Sequence, residues 1–355
     1  MAWNGYNVVS TFSGGGGSCL GYRMAGYRVR WANEFIPAAQ ETYKANSQGT
    51  FLNCGNIRDV TPDQIVAESG IPIGEIDLFD GSPPCAAFST AGKRQKYWGK
   101  AKKYSDTVER VDDLFFEYAR LVRALQPKTF VAENVSGLVK GIARDYFRQF
   151  VSDLSACGYN VRVRLLNAKH YGVPQSRERV IFVGVRNDLC ERFGVAPCFP
   201  EPSAAVVSLS AAFHGLKNDD EERIALLDEA KKYAWTRIAR RMGINPRKSR
   251  KGADVTNGTS YFMLRRDSIY GPCSTICQTQ GNPSTAGCIH PLEDRKYTIP
   301  ELKRITSIPD DFVLTGDYQQ KTERLGRMVP PLMMMHIART IQTEILDKIP
   351  KGGAK

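Results

Sequence analysis

Asn7-Val8-Val9-Ser10-Thr11-Phe12-Ser13-Gly14-Gly15-Gly16-Gly17 is the stretch whose reading decides the fold. Residues 7–13 read as a short buried strand, and a helical stretch begins near Ser18. Four consecutive glycines between them let the backbone turn sharply and approach a ligand closely. The helix that follows offers free N–H groups and the positive end of its dipole. Val29-Arg30-Trp31-Ala32-Asn33 reads as the next strand and delivers Glu34 twenty residues after Gly14. Nucleotide-binding α/β folds place a carboxylate for ribose hydroxyls at such a position. The glycine spacing departs from Gly-x-Gly-x-x-Gly, so a dinucleotide is not favoured.

Working outward, residues 36–45 read as helix and Glu75 to Phe79 as a third strand. Val111, Leu114, Phe115, Tyr118, Leu121, Val122 and Leu125 form a helical stripe, and Thr129 to Ala132 a fourth strand. A helix near 142–156 leads to strands at 159–166 and 179–185. The alternation implies an α/β fold: a mostly parallel sheet with helices on both faces. After about Arg186 it stops, and 187–295 becomes rich in turn residues and cations. From Lys231 to Arg266 eleven Lys and Arg face Asp254 as the single acid, which marks a smaller, irregular domain. Helix returns at 300–307 and 331–347, where the chain is expected to rejoin the first domain.

Composition narrows the class. The 355 residues are 42% hydrophobic and 24% charged, values of a globular chain. No apolar run reaches the roughly 18–20 residues that span a bilayer, and Met1-Ala2-Trp3-Asn4-Gly5-Tyr6 lacks a secretory pattern. Nine scattered cysteines with no Cys-x-x-Cys pair argue against a disulfide framework or structural zinc, and fit a reducing cytoplasm. The net charge of +12 points to a polyanion such as nucleic acid.

The chemistry-bearing residues sit at strand ends. Pro83-Pro84 stiffens the turn beyond the third strand and holds Cys85 at the start of a loop. Lys93, Arg94, Lys96, Lys100, Lys102 and Lys103 follow with no acid between, and a positive field raises the thiolate fraction. Tyr97, Trp98 and Tyr104 interleave with these cations, a mixture suited to phosphate and base contact. Glu133-Asn134 ends the fourth strand at the same sheet edge as Cys85, where a carboxyl can exchange a proton; capping Asn beside surface Glu is the plainer reading. Gln175, Arg177 and Arg179 alternate at strand spacing and are expected to share one face, for phosphate or carboxylate recognition or as an exposed salt-bridged surface.

Together these pieces resemble the DNA (cytosine-5) methyltransferase family, in order and over nearly the whole chain. Phe12-Ser13-Gly14-Gly15-Gly16-Gly17 looks like the first motif, Glu34-Phe35 like the second and Gly55-Asn56-Ile57 like the third. Gly81-Ser82-Pro83-Pro84-Cys85 with Phe88-Ser89 is similar to the nucleophile motif, and Leu114-Phe115-Phe116 to the next. Glu133-Asn134-Val135 and residues 171–179 resemble the sixth and eighth, Tyr297 to Phe312 the ninth, and Gly326-Arg327-Met328-Val329-Pro330-Pro331 the tenth. The resemblance implies a Rossmann-like methyltransferase domain over 1–187, a target-recognition domain over 188–295, and a return segment over 296–355. It implies S-adenosylmethionine at Phe12, Ser13, Gly14, Gly16, Gly17, Glu34, Phe35, Asn56, Ile57, Pro84, Leu114, Arg327 and Val329, with no metal.

The implied reaction flips a cytosine from duplex DNA, adds Cys85 to C6, and transfers a one-carbon group to C5. Glu133 would act at N3, with its pKa raised, while Arg177 and Arg179 shape the pocket. Ser89, Lys93, Arg94, Gln175, Arg240, Arg241, Lys248 and Arg250 are the expected DNA contacts. Ser10 stands where the first motif commonly has Asp, Asn56 replaces an Asp, and Ala86 replaces a larger residue after the nucleophile. Arg327 stands where the family usually has Asn, near the cofactor's sulfonium. A guanidinium there suits a carboxylated cofactor, so carboxymethyl transfer from carboxy-S-adenosylmethionine is the alternative. A tRNA cytosine-5 methyltransferase and a non-catalytic DNA-binding member are further readings, and a nicotinamide-dependent dehydrogenase leaves the Pro-Pro-Cys turn unexplained. A cytoplasmic monomer of bacterial or phage origin, with a cognate restriction endonuclease as candidate partner, completes the expectation.

Overall fold

The computed structural model describes residues 2–84, 102–104, 107–109, 113–139, 143–217, 219–244, 248–250, 264–285 and 287–350. They form two compact units. The first gathers 1–166, 178–201 and 334–355, and the second 167–177 and 202–333.

The first unit is built on seven strands: β1 (Asn7–Thr11), β2 (Arg28–Asn33), β3 (Phe51–Asn53), β4 (Leu78–Gly81), β7 (Thr129–Val135), β8 (Tyr159–Asn167) and β9 (Glu178–Arg186). A separate antiparallel pair, β5 (Lys102–Tyr104) and β6 (Thr107–Glu109), lies between β4 and β7 in the chain. The sheet order is β3-β2-β1-β4-β7-β9-β8. Neighbours from β3 to β7 run parallel, and β9 runs antiparallel to β7. This is a Rossmann-like methyltransferase sheet. β1, β4, β7 and β9 are buried almost end to end, the mark of strands covered on both faces. Helices α1 (Gly17–Met24), α2 (Pro37–Asn46), α3 (Pro62–Ser69), α4 (Leu114–Leu125), α5 (Ala143–Ala156) and α6 (Asn187–Phe193) belong to this unit. From Leu114 to Leu125 the expected stripe supplies α4's buried face, Val111 lying outside the described residues, and Phe115 stacks on Phe150 of α5 with ring centroids 3.5 Å apart. The third strand starts later than its sequence suggests. Pro72–Glu75 forms a turn, and the Asp77 carboxylate takes the Asn7 N–H and the Lys128 ammonium before β4 begins.

The second unit holds α7 (Leu209–Phe213), α8 (Asp220–Lys231), α9 (Trp235–Met242), α10 (Ile299–Ile305) and α11 (Tyr318–Arg327). Its three-stranded sheet is β10 (Lys248–Arg250), β11 (Leu264–Arg266) and β12 (Gly287–Ile289). α9 buries Trp235, Ala239 and Met242 against Leu264 and Ile289. α12 (Pro331–Glu344) closes the chain's regular structure. Among the described residues no helix is long and apolar enough to cross a membrane.

Candidate active site

The glycine turn leaves β1 at Thr11. Phe12, Gly14 and Gly16 all take positive φ, at +53°, +56° and +93°. A non-glycine residue held there stores backbone strain, as binding turns commonly do. A Cβ on Gly14 would meet nothing within 4 Å, so the turn is open on that side; a Cβ on Gly16 would press on the Tyr43 ring at 3.3 Å. Glu34, buried just past β2, pins the turn. Its carboxylate accepts from the Gly14 N–H at 2.7 Å and from the Ile36 N–H at 2.7 Å. Asn33 donates to the Asn53 and Gly55 carbonyls, which draws the third-motif loop alongside. Asn56 Oδ1 accepts from the Arg58 N–H at 3.1 Å, and Arg58 reaches Asp113 at 2.6 Å, one residue before Leu114. The structure thus gathers Phe12 to Gly17, Glu34, half-buried Phe35, Asn56 and buried Ile57 and Leu114 at one edge of the parallel strands. A strained glycine turn, open at Gly14 and set beside a buried carboxylate at the carboxyl ends of parallel strands, fits an adenosyl cofactor. The use of Asn56 by Arg58 was not legible in the sequence.

At the same edge, Gly81 of β4 pairs with Thr11 and with Ala132. The next residues, Ser82-Pro83-Pro84, run beside Glu133-Asn134, and Asn134 Nδ2 donates to the Pro83 carbonyl at 3.2 Å. Glu133 and Arg179 form a buried ion pair at 2.6 Å. Cys85, Ser89, Lys93 and Arg94 lie outside the described residues. Sequence reasoning missed Asp80, buried three residues before Pro83, whose only sequence signal was an acid in an apolar strand.

The row expected over 175–179 does not form. β9 starts at Glu178, and Gln175 and Arg177 belong to the second unit. Gln175 is fully buried; its amide accepts from the Ile276 N–H and donates to the Ile305 carbonyl, so it offers no exposed contact to DNA. Buried Arg177 donates to the Ile276 and Gly326 carbonyls at 2.9 and 2.8 Å. It braces the unit instead of lining a face with Arg179, because the chain leaves the sheet between them. Arg240 and Arg241 are exposed on α9, with Arg237 beside them, whereas Lys248 and Arg250 fall in β10. Arg327 pairs with Glu323 one turn back on α11 at 2.7 Å, and Val329 is buried; both are in the second unit. Asp267, Cys273 and Cys288 bring donor atoms within 4.8 Å of one another. Ser274 donates two hydrogen bonds to Asp267, and burial pushes the Cys273 thiol up.

Comparison with known proteins converges on one group. Type II methyltransferase M.NgoPII of Neisseria gonorrhoeae is 28% identical, covering 96% of each chain. Type II methyltransferase M.Eco47II of Escherichia coli is 30% identical over 98% of this chain and 81% of its own. A crystal structure described as a prophage-encoded DNA modification methyltransferase of E. coli superposes with a TM-score of 0.71 at 21% identity, covering 96% of this chain and 99% of that one. Spodoptera frugiperda DNMT2 gives 0.65 at 18%, covering 93% and 97%. The family pattern described as C-5 cytosine-specific DNA methylase matches residues 6–343, and the chain belongs to that family of S-adenosylmethionine-dependent DNA cytosine-5 methyltransferases.

Proposed function

We propose that this enzyme methylates cytosine in duplex DNA with Cys85 as nucleophile and Glu133, held by Arg179, as the group acting at N3. The observation that carries it is the Glu133–Arg179 ion pair, a fixed carboxyl whose chain neighbour Asn134 holds the Pro83 carbonyl, two residues before Cys85 in the sequence. S-adenosylmethionine, held by Phe12 to Gly17, Glu34, Asn56 and Leu114, supplies an electrophilic methyl on a sulfonium. The Cys85 thiolate forms a bond to C6, and the C5=C6 pair moves toward C5 while Glu133 stabilises the ring at N3. After alkylation C5 loses its proton, the double bond re-forms and the thiolate leaves. The flipped base is needed because C6 is shielded within a stacked duplex. Arg177 is assigned a bracing role.

The exposed arginines of α9 support DNA binding by the second unit, with the part of 188–295 that lies in it, from residue 202 onward, as the target-recognition span, while within 296–355 only 334–355 belongs to the first unit. Arg327 has a carboxylate partner in Glu323, which it shares with Arg324, and the relatives are methyltransferases, so plain methyl transfer is preferred to carboxymethyl transfer. The Type II relatives support a cytoplasmic bacterial or phage setting and a cognate endonuclease. The test uses duplex DNA bearing 5-fluorocytosine plus cofactor. A denaturation-resistant protein–DNA adduct is expected, absent from Cys85→Ser. An adduct that persists in that variant, or product methylated on an exocyclic nitrogen, overturns the assignment.

A further inference from the structure

Asp80 of β4 lies opposite Ser10 in the parallel register of β1 and β4, and opposite Val131 of β7. Its carboxyl accepts from Ser10 Oγ at 2.8 Å and from the Tyr22 hydroxyl at 2.8 Å. Ser10 Oγ in turn lies 3.0 Å from Ser13 Oγ, the residue that opens the glycine turn. A chain of hydroxyls therefore joins a buried carboxyl to the cofactor loop. The groups facing Asp80 are Tyr22 and Cys19 from α1, Tyr118 from α4 and Glu133 from β7. Burial keeps the two tyrosines and Cys19 protonated. Glu133 is matched by Arg179. Among the described residues, the charged group that acts on Asp80 is thus a second acid and not a cation. Burial pushes the Asp80 carboxyl up to about 7, against the Ser10 and Tyr22 hydrogen bonds, with a smaller push from Glu133.

A buried carboxylate with two hydroxyl donors and no cation is costly, and a positive ligand relieves that cost. S-adenosylmethionine and its demethylated product differ by one positive charge at sulfur. We propose that Asp80 is a positioning residue whose carboxylate, acting through Ser10 and Ser13, makes the glycine turn prefer the cationic methyl donor over the uncharged thioether product. Ionised Asp80 also fixes the donor sense, Ser13 to Ser10 to Asp80, so that Ser13 presents lone pairs to the ligand. The inference rests on the cofactor assignment of that turn.

Calorimetric titration of the full chain with S-adenosylmethionine and S-adenosylhomocysteine separates the two. The preference for the sulfonium is expected to grow about fivefold between roughly pH 6 and pH 8, as Asp80 ionises. Asp80→Asn should flatten that rise while product affinity stays within about twofold. Ser10→Ala, a smaller change that breaks the hydroxyl chain while keeping Asp80, should flatten it too and tests the path independently of the carboxyl. A preference that is the same at both pH values in the wild type, or that rises equally in the variants, overturns the inference. Wild-type protein that binds neither ligand overturns the cofactor site itself, and the inference with it.

Discussion

Two arginines, two residues apart, show how far identity is from role. Arg177 and Arg179 carry the same charge, but one holds backbone carbonyls and the other a carboxylate. For Arg179 the buried pair sets the expectation. Glu133→Gln should fold, bind cofactor and lose about 10²–10³ in kcat, since general acid–base help is of that order. Arg179→Ala strands a buried carboxylate and should cost about 3–5 kcal/mol in urea unfolding as well as activity. Unchanged stability in Arg179→Ala would show the pair to be solvated. Asp80 gives the opposite sign. Its folded pKa stands above the ordinary carboxylate value, so its contribution to stability is full below about pH 4 and is lost as pH rises through about 7. Asp80→Asn should therefore raise Tm of the cofactor-free protein at pH 8, by up to a few kcal/mol equivalent, with little gain at pH 5. A uniform gain, or none, is incompatible with a buried, raised acid. The sequence showed Ser10 as a missing acid; the register shows an acid directly across from it on β4.

Elements were the most legible level. Apolar strands and the 114–125 stripe needed only periodicity, and the glycine turn announced the first βα unit. What stayed hidden depends on long-range packing. The start of β4 was obscured because Asp77 is spent on Asn7 and Lys128, and the 175–179 row because the chain changes unit at Glu178. Nor does a pattern reveal Arg58 occupying Asn56, since Arg58's other partner, Asp113, is 55 residues away. Close approach gives an element-scale test. A Cβ on Gly81 would meet the Tyr118 ring at 2.5 Å and Thr11 Oγ1 at 2.7 Å. Gly81→Ala should destabilise by about 1–3 kcal/mol, as overpacking does, and shift the Pro83-Pro84 turn. Reduced kcat with normal cofactor affinity would place the damage at that turn; wild-type Tm would mean that the ring yields.

Across the whole molecule the +12 charge is unevenly used. In the first unit, Arg179 and Lys128 are spent on buried or half-buried acids. In the second, α9 buries one face on Leu264 and Ile289 and leaves Arg237, Arg240 and Arg241 exposed on the other. Arg240 has an acid, Asp294, only at 3.6 Å and stays 62% exposed, so its pairing is weak. Three guanidiniums on one helical face are therefore available to phosphates. Each phosphate neutralised releases counterion and adds about 0.9 to the slope of log K against log salt. Replacing all three by Gln should lower that slope by about 2–3 and weaken cognate and unrelated duplexes alike. If one arginine reads a base, its single substitution will instead relax sequence choice and leave the slope nearly unchanged. Fluorescence anisotropy over a salt series with both duplexes distinguishes these outcomes. A triple variant with wild-type slope would remove α9 from the DNA-binding surface.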